Sequence, residues 1–179
     1  MPDNSVCGFS LPYKNIPSQL LIPIHIIDPI SWDSSIECQG LIDTWATNCV
    51  ISSRMASELN LIQSWLVKTY HAWGVSDCKQ YTVKLELPDS YITNTLLVTE
   101  WPIDLQGFDV LIGMDVITEG DFTMTKKDGW LLISFITPSQ WAINLVERYI
   151  AKRNVEKKIK KQQQERLNGK NNRKKKKRK

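Results

Sequence analysis

The fold of this chain is decided by residues 40–51, GLIDTWATNCVI. Two apolar residues deliver the carboxylate of Asp43 from the end of a predicted strand, and Thr44 follows at once. A second apolar pair, Val50 and Ile51, leads towards a short helix. An Asp-Thr pair after a strand has two interpretations, a turn that the aspartate holds through its own backbone or a carboxylate placed for acid–base chemistry.

A second informative segment lies at residues 109–115, DVLIGMD. Its continuous apolar run predicts a strand buried on both faces. The run ends at Ile112 and Gly113, and Asp115 stands at the start of a second short helix. We expect Asp115 to support the helix start and the packing of the loop rather than to take part in catalysis.

The rest of the first 137 residues has the pattern of short strands separated by turns. We predict strands at 20–27, 37–42, 82–87, 92–99, 108–112 and 130–135, and short helices at 54–59 and 114–120. Strands at such regular spacing predict a closed all-β domain.

The order of these segments resembles that of the retropepsins, the retroviral-type aspartic proteases, and their bacterial relatives. The family has a hydrophobic-hydrophobic-Asp-Thr/Ser-Gly-Ala loop, which Asp43, Thr44 and Ala46 match, and a later hydrophobic-hydrophobic-Gly-x-Asp/Asn element. It also places a flap hairpin between the two, where this chain has Ala72, Trp73, Gly74 and Val75. The resemblance covers residues 18–137 and implies a closed retropepsin-like acid protease barrel.

The resemblance also implies an activity, that of an aspartic endopeptidase without a cofactor. Family members carry one such aspartate per chain and assemble the active site from two chains, so Asp43 would be the catalytic carboxylate of a homodimer. Thr44 would link the two loops through its hydroxyl, and residues 72–75 would close over a peptide substrate. In this interpretation Ile112, Gly113 and Asp115 are structural.

Trp45 departs from the family pattern, which has glycine at this position because the loop packs tightly around the paired carboxylates. An indole here should displace the neighbouring loop or widen the dimer interface. Two interpretations therefore stay open, an active endopeptidase and a catalytically inactive interaction domain that keeps the fold.

The tryptophan content suggests a further hypothesis. The chain has 7 tryptophans and 8 glycines, and Trp73 and Trp101 also lie where turns and glycines are expected. We hypothesise that some of these codons are read as glycine in the natural host. The alternative is a tryptophan-rich protein.

The C-terminal region differs from the rest in charge. Residues 152–179 hold 15 of the 23 basic residues and two acidic ones, a net charge of +13, whereas the rest of the chain carries −9. We predict a helix over 138–167, increasingly charged and capped by Ser139, then a disordered basic tail over 168–179. Residues 170–179 suit non-specific nucleic acid binding, a third class of function, or form a solvated end.

Other classes of function find little support in the sequence. The cysteines form no Cys-x-x-Cys pair and His25 and His71 are far apart, so we expect no metal site. No apolar stretch is long enough to span a membrane, and the N-terminus has no signal-peptide pattern. Scattered thiols without an export signal predict a cytoplasmic protein.

Overall fold

The structure, a computed structural model, describes residues 6–31, 34–71, 74–140 and 144–176, with the backbone alone for 71, 127, 145 and 165–176. The strands are β1 Cys7–Lys14, β2 Leu21–Ile27, β3 Ser35–Ile42, β4 Val50–Ser52, β5 Gln63–His71, β6 Gly74–Leu87, β7 Tyr91–Ile92, β8 Leu96–Trp101, β9 Val110–Ile112, β10 Asp121–Lys127 and β11 Trp130–Thr137. The helices are α1 Ser53–Glu58, α2 Met114–Ile117 and α3 Leu145–Lys176. Two compact units, residues 1–141 and 142–179, are described separately below.

The larger sheet of the first unit closes on itself. Its strands follow the order β2-β3-β9-β4-β8-β6, and β6 pairs again with β2 through Ile26 and Leu85. Closure removes the exposed edges that an open sheet would leave. The all-β closed barrel with short helices that the strand spacing predicts is therefore confirmed.

The barrel interior is filled by alternating residues of its strands. In the second half of β6 the buried positions are Tyr81, Val83, Leu85 and Leu87, whereas the residues between them are more exposed. This alternation follows from the two-residue period of a strand, and burial of such side chains is the main source of stability of the fold.

A second sheet of three strands has the order β1-β11-β10. β1 was not predicted, because Pro12 interrupts its alternation of Phe9, Leu11 and Tyr13. Pro12 is tolerated because β1 lies at the edge of the sheet. On the side of β1 without a partner strand, a missing backbone N–H removes no hydrogen bond of the sheet.

The second unit consists of α3, which begins at Leu145, about two turns later than predicted. Asn144 is its N-cap, since its Oδ1 accepts hydrogen bonds from the backbone N–H groups of Val146 and Glu147 at 3.1 and 3.2 Å. Ser139, the predicted cap, lies before the helix, and its hydroxyl donates to Asp121 Oδ1.

The end of α3 also differs from the expectation of a helix ending near residue 167. The helix continues through Gly169 to Lys176. A single glycine costs a helix only about 1 kcal/mol, and the surrounding lysines, arginines and glutamines are good helix formers. The division of the chain into a domain, a helix and a tail stays a prediction.

Candidate active site

The backbone of the barrel brings Asp43 to the end of β3. β3 and β9 run parallel, with Ile42 opposite Ile112, and both of these side chains are buried. The backbone N–H of Asp43 continues this pairing by donating to the carbonyl of Ile112 at 3.0 Å. The half-buried aspartate is therefore the first residue to leave the sheet, and its backbone stays anchored there.

The loop after Asp43 turns back on the aspartate itself. The backbone N–H of Trp45 donates to Asp43 Oδ1 at 2.8 Å, and that of Ala46 donates to the Asp43 carbonyl at 3.3 Å. Within the described part of the chain, the other carboxylate oxygen, Oδ2, accepts no hydrogen bond. One oxygen therefore orients the carboxylate, and the second is available for chemistry.

Trp45 is accommodated within the single protomer. Its side chain is 96% exposed, and its backbone φ lies outside the left-handed region. The position therefore needs glycine neither for backbone conformation nor for space within one chain. Because Thr44 beside it is also exposed, the indole stands at the outer tip of the loop, where it displaces nothing in the protomer.

The segment after β9 holds the far side of the loop. The backbone N–H groups of Met114 and Asp115 donate to the carbonyls of Ala46 and Thr47 at 2.8 and 3.1 Å. A Cβ atom on Gly113 would lie 2.7 Å from the carbonyl carbon of Asn48. Only glycine permits this close approach, so the two segments matched to the family motifs pack directly against each other.

The Asp115 carboxylate is fully engaged in the same contact. Its Oδ2 accepts from the backbone N–H of Cys49 at 2.9 Å, and its Oδ1 accepts from the Cys49 thiol at 3.0 Å and from the N–H of Val116 at 3.0 Å. Both oxygens support the loop and the start of α2. Neither is left to exchange a proton with a substrate.

Two other carboxylates near the end of the barrel are also occupied. Asp109 forms an ion pair with Arg54, with Oδ1 and Nη2 2.5 Å apart. Glu100 accepts hydrogen bonds from the hydroxyls of Ser53 and Tyr81, both at 2.8 Å. Sequence patterns gave no signal of these pairs, whose members lie far apart in the chain. They leave Asp43 as the carboxylate best placed for chemistry.

The pKa of Glu100 reflects its surroundings. Burial by itself would raise this pKa, but the hydrogen bonds from Ser53 and Tyr81 and the nearby Lys79 ammonium outweigh burial and lower it. The carboxylate is thus held in its ionised form, which suits a structural acceptor better than a proton donor.

The predicted flap coincides with a long hairpin of β5 and β6. The strands pair from Gln63 with Tyr81 to His71 with Gly74. Ala72 and Trp73 lie outside the described residues. Gly74 has a left-handed φ of 132°, as a hairpin end requires, and Val75 is exposed.

The hairpin is longer than the sequence predicts, because no strand was expected over Gln63–His71. It exposes apolar side chains along its length, namely Trp65 and Leu66 near its base and Tyr70 and Val75 near its tip. No hydrogen bond or ion pair between described residues joins Gly74 or Val75 to the loop of Asp43. The protomer thus brings the Asp43 loop and the 112–115 segment together, but not these flap residues.

Two further properties of the described residues bear on the kind of site. No cluster of three or more histidine, cysteine, aspartate or glutamate side chains among them is arranged to hold a metal ion. No helix in the described ranges is long and apolar enough to cross a membrane.

Comparison with known proteins gives two solved structures of similar fold. A retropepsin-like aspartic protease from Rickettsia conorii has a TM-score of 0.48 and 13% identity, over 76% of this chain and 99% of the other. The retroviral protease-like domain of Ddi1 from Leishmania major has a TM-score of 0.41 and 16% identity, over 70% of this chain and 100% of the other. No family model and no curated protein matches the chain. At these identities the likeness concerns the fold alone.

Proposed function

We propose that this protein is an aspartic endopeptidase that acts as a homodimer, with one Asp43 from each subunit in the active site. The observation that carries this proposal is the state of the Asp43 carboxylate. Its Oδ1 is fixed by the loop, whereas its Oδ2 accepts no hydrogen bond among the described residues. The nearby Asp115, by contrast, is fully committed to structure.

The mechanism requires two such carboxylates that share one proton, because adjacent like charges do not both ionise at low cost. The ionised Asp43 takes a proton from a water molecule, whose oxygen attacks the carbonyl carbon of the scissile peptide bond. The protonated Asp43 of the other subunit donates to the carbonyl oxygen. When the C–N bond breaks, a proton passes to the leaving nitrogen.

The dimer is part of this mechanism, since Asp43 is the single suitable carboxylate that we identify among the described residues of one protomer. The two Asp43 loops would meet across a twofold axis, with Thr44 of each contacting the other loop. The β5–β6 hairpin, with residues 72–75 at its tip, would close over an extended peptide. The exposed apolar side chains near its tip, Tyr70 and Val75, suit contact with a substrate or with the second subunit.

A dilution experiment tests this requirement. We expect the turnover per mole of protein to fall when the enzyme is diluted at constant substrate, because dissociation by mass action leaves protomers with half a site. The measurement is hydrolysis of an unfolded protein substrate at mildly acidic pH, with and without pepstatin. Pepstatin-insensitive cleavage, or constant turnover at dilutions where sedimentation shows monomers, would contradict the proposal.

A second candidate, an inactive interaction domain, is favoured by the exposure of Trp45. An indole that is 96% exposed beside the candidate carboxylate would lie between two approaching loops. A misplacement of about 1 Å is enough to reduce catalysis by about a hundredfold. This candidate keeps the dimer but predicts no turnover.

A third candidate function, nucleic acid binding, is favoured by the distribution of charge along α3. Arg153, Lys157 and Lys161 recur every four residues, so they lie along one side of the helix about 6 Å apart. Val155 and Ile159 lie on the opposite side of this part of the helix, where two residues are too few to form a membrane-inserting face. Other large exposed apolar residues of α3, Val146, Tyr149 and Ile150, precede the row. A row of exposed cations without an apolar face suits the phosphates of a nucleic acid better than a lipid bilayer.

Neutralising this row tests the candidate. We expect the triple variant Arg153→Gln, Lys157→Gln and Lys161→Gln to bind single-stranded RNA more weakly and with a salt dependence smaller by about 2 in the log–log slope. The physical reason is that fewer counterions are released when three cations are lost. The measurement is a fluorescence anisotropy titration at several salt concentrations, repeated after deletion of residues 168–179.

The control removes the same charge from the barrel unit, by changing the exposed Lys14, Lys68 and Lys126 to glutamine. This variant should keep the affinity and the slope of the unmodified protein. Equal losses of RNA affinity in both triple variants would mean that binding depends on the net charge of the protein and not on this row of cations. Binding to anionic vesicles but not to RNA would instead identify α3 as a membrane-binding helix.

A further inference from the structure

The loop that carries Asp43 is held by backbone hydrogen bonds at its start and along its far side, where Met114 and Asp115 donate to it. Between them, Thr44, Trp45, Thr47 and Asn48 are exposed and contribute little packing. At its start, the backbone N–H of Asp43 donates to the carbonyl of Ile112. The position of the aspartate is therefore only as well defined as the backbone that holds that carbonyl.

That backbone is one peptide group with contacts on both sides. The carbonyl of Ile112 and the N–H of Gly113 belong to the same rigid plane. The carbonyl accepts from Asp43 at 3.0 Å, and the N–H donates to the thiol sulfur of Cys49 at 3.3 Å. Rotation of this plane away from Cys49 would move the acceptor of Asp43 as well.

We propose that Cys49 is a positioning residue for Asp43, acting through the peptide group between Ile112 and Gly113. The thiol accepts from the Gly113 N–H and donates to Asp115 Oδ1 at 3.0 Å, so it joins the end of the loop to the segment that holds the start of the loop. The role of Cys49 in catalysis rests on the proposed function of Asp43, whereas its role in fixing the peptide group does not.

The surroundings of Cys49 fit this role rather than a reactive one. The residue has 0% exposure, and burial, followed by the Asp115 carboxylate, raises the pKa of its thiol. The sulfur is thus protonated and inaccessible, whereas nucleophilic cysteines are exposed thiolates. A protonated thiol can donate and accept at once, as a hydroxyl also can, but a methyl group can do neither.

Substitution by serine and by alanine separates these properties. We expect Cys49→Ala to lower kcat by on the order of tenfold to a hundredfold with little change in KM, because the catalytic geometry loosens while the substrate cleft remains. Cys49→Ser keeps a donor and an acceptor and should retain kcat within about threefold of the unmodified protein. The measurement is steady-state hydrolysis of an unfolded protein substrate by the full chain.

The matched control is Cys38→Ala, since Cys38 is also a buried thiol, with 7% exposure, on β3 but with its side chain in the barrel core. It reproduces the loss of a buried sulfur without touching the loop. An equal fall in kcat in the two alanine variants would overturn the proposal, as would a Cys49→Ala enzyme with the kcat of the unmodified protein.

Amide hydrogen exchange provides a readout that needs no activity. Cys49→Ala should speed exchange at the N–H groups of Asp43 and Gly113 by about tenfold or more, whereas Cys38→Ala should not. If the unmodified protein cleaves nothing and the exchange still rises, the proposed function fails and the positioning role stands. If the exchange is unchanged, the positioning role fails whether or not the protein is a peptidase.

Discussion

The variant Asp43→Asn should lose peptidase activity by about a thousandfold or more while keeping its fold. Asparagine has the same shape, and its amide oxygen can still accept the hydrogen bond that Trp45 N–H donates to Asp43 Oδ1 at 2.8 Å. The amide cannot take a proton from water or give one to a substrate, and general acid–base catalysis contributes about 10² to 10⁴ in rate. The measurement is kcat/KM at mildly acidic pH, together with thermal unfolding of both proteins.

Asp128→Asn is the matched control. This residue lies in an exposed turn with a left-handed φ of 52°, which asparagine tolerates, and the same chemical change there should leave kcat/KM unaltered. Dimers that pair one unmodified subunit with one Asp43→Asn subunit should also be inactive, because the site needs a carboxylate from each. Hydrolysis that survives the Asp43 change would mean that another group performs the chemistry.

The parts of the fold that were predictable are those set by neighbouring residues. The alternation of Val83, Leu85 and Leu87 predicted a half-buried strand, and the structure has it. A helix was predicted over 54–59, and Ser52, a residue type that favours the N-cap, accepts from the backbone N–H of Met55 at 3.2 Å. Patterns of this kind arise from residues close together in the sequence, so they can be recognised without the tertiary structure.

The candidate site was predictable in its backbone but not in its side-chain contacts. The glycine at 113 indicated a special position in the sequence. The reason for glycine is a long-range contact, because the carbonyl group of Asn48 occupies the space that a side chain at 113 would need. The bonds of Cys49 to Asp115 and Gly113 also join residues far apart in the chain, since their separations are 66 and 64 positions. A lone cysteine beside an aspartate loop gives no sequence signal for a hydrogen-bonding role.

Trp45→Gly should raise kcat/KM by on the order of a hundredfold. The indole is 96% exposed and makes no core contact, so its removal takes little from the stability of the protomer. What changes is the space at the loop tip, where the two Asp43 carboxylates must approach to share a proton. The measurement is kcat/KM beside the dimer dissociation constant, since relief of crowding should improve both.

Trp130→Gly is the control, because it removes another exposed indole, at the start of β11 and away from the loop. This variant should raise neither kcat/KM nor the affinity of the dimer. If Trp45→Gly dimerises but stays inactive, crowding by the indole is not the cause of inactivity, and the chain is an interaction domain for another reason. If the activity of Trp45→Gly rises instead, the mass of the peptide that contains position 45 in the natural protein decides the remaining hypothesis. A glycine there would make the Trp45→Gly protein the natural enzyme, whereas a tryptophan would make the gain in activity a measure of how far this site has decayed.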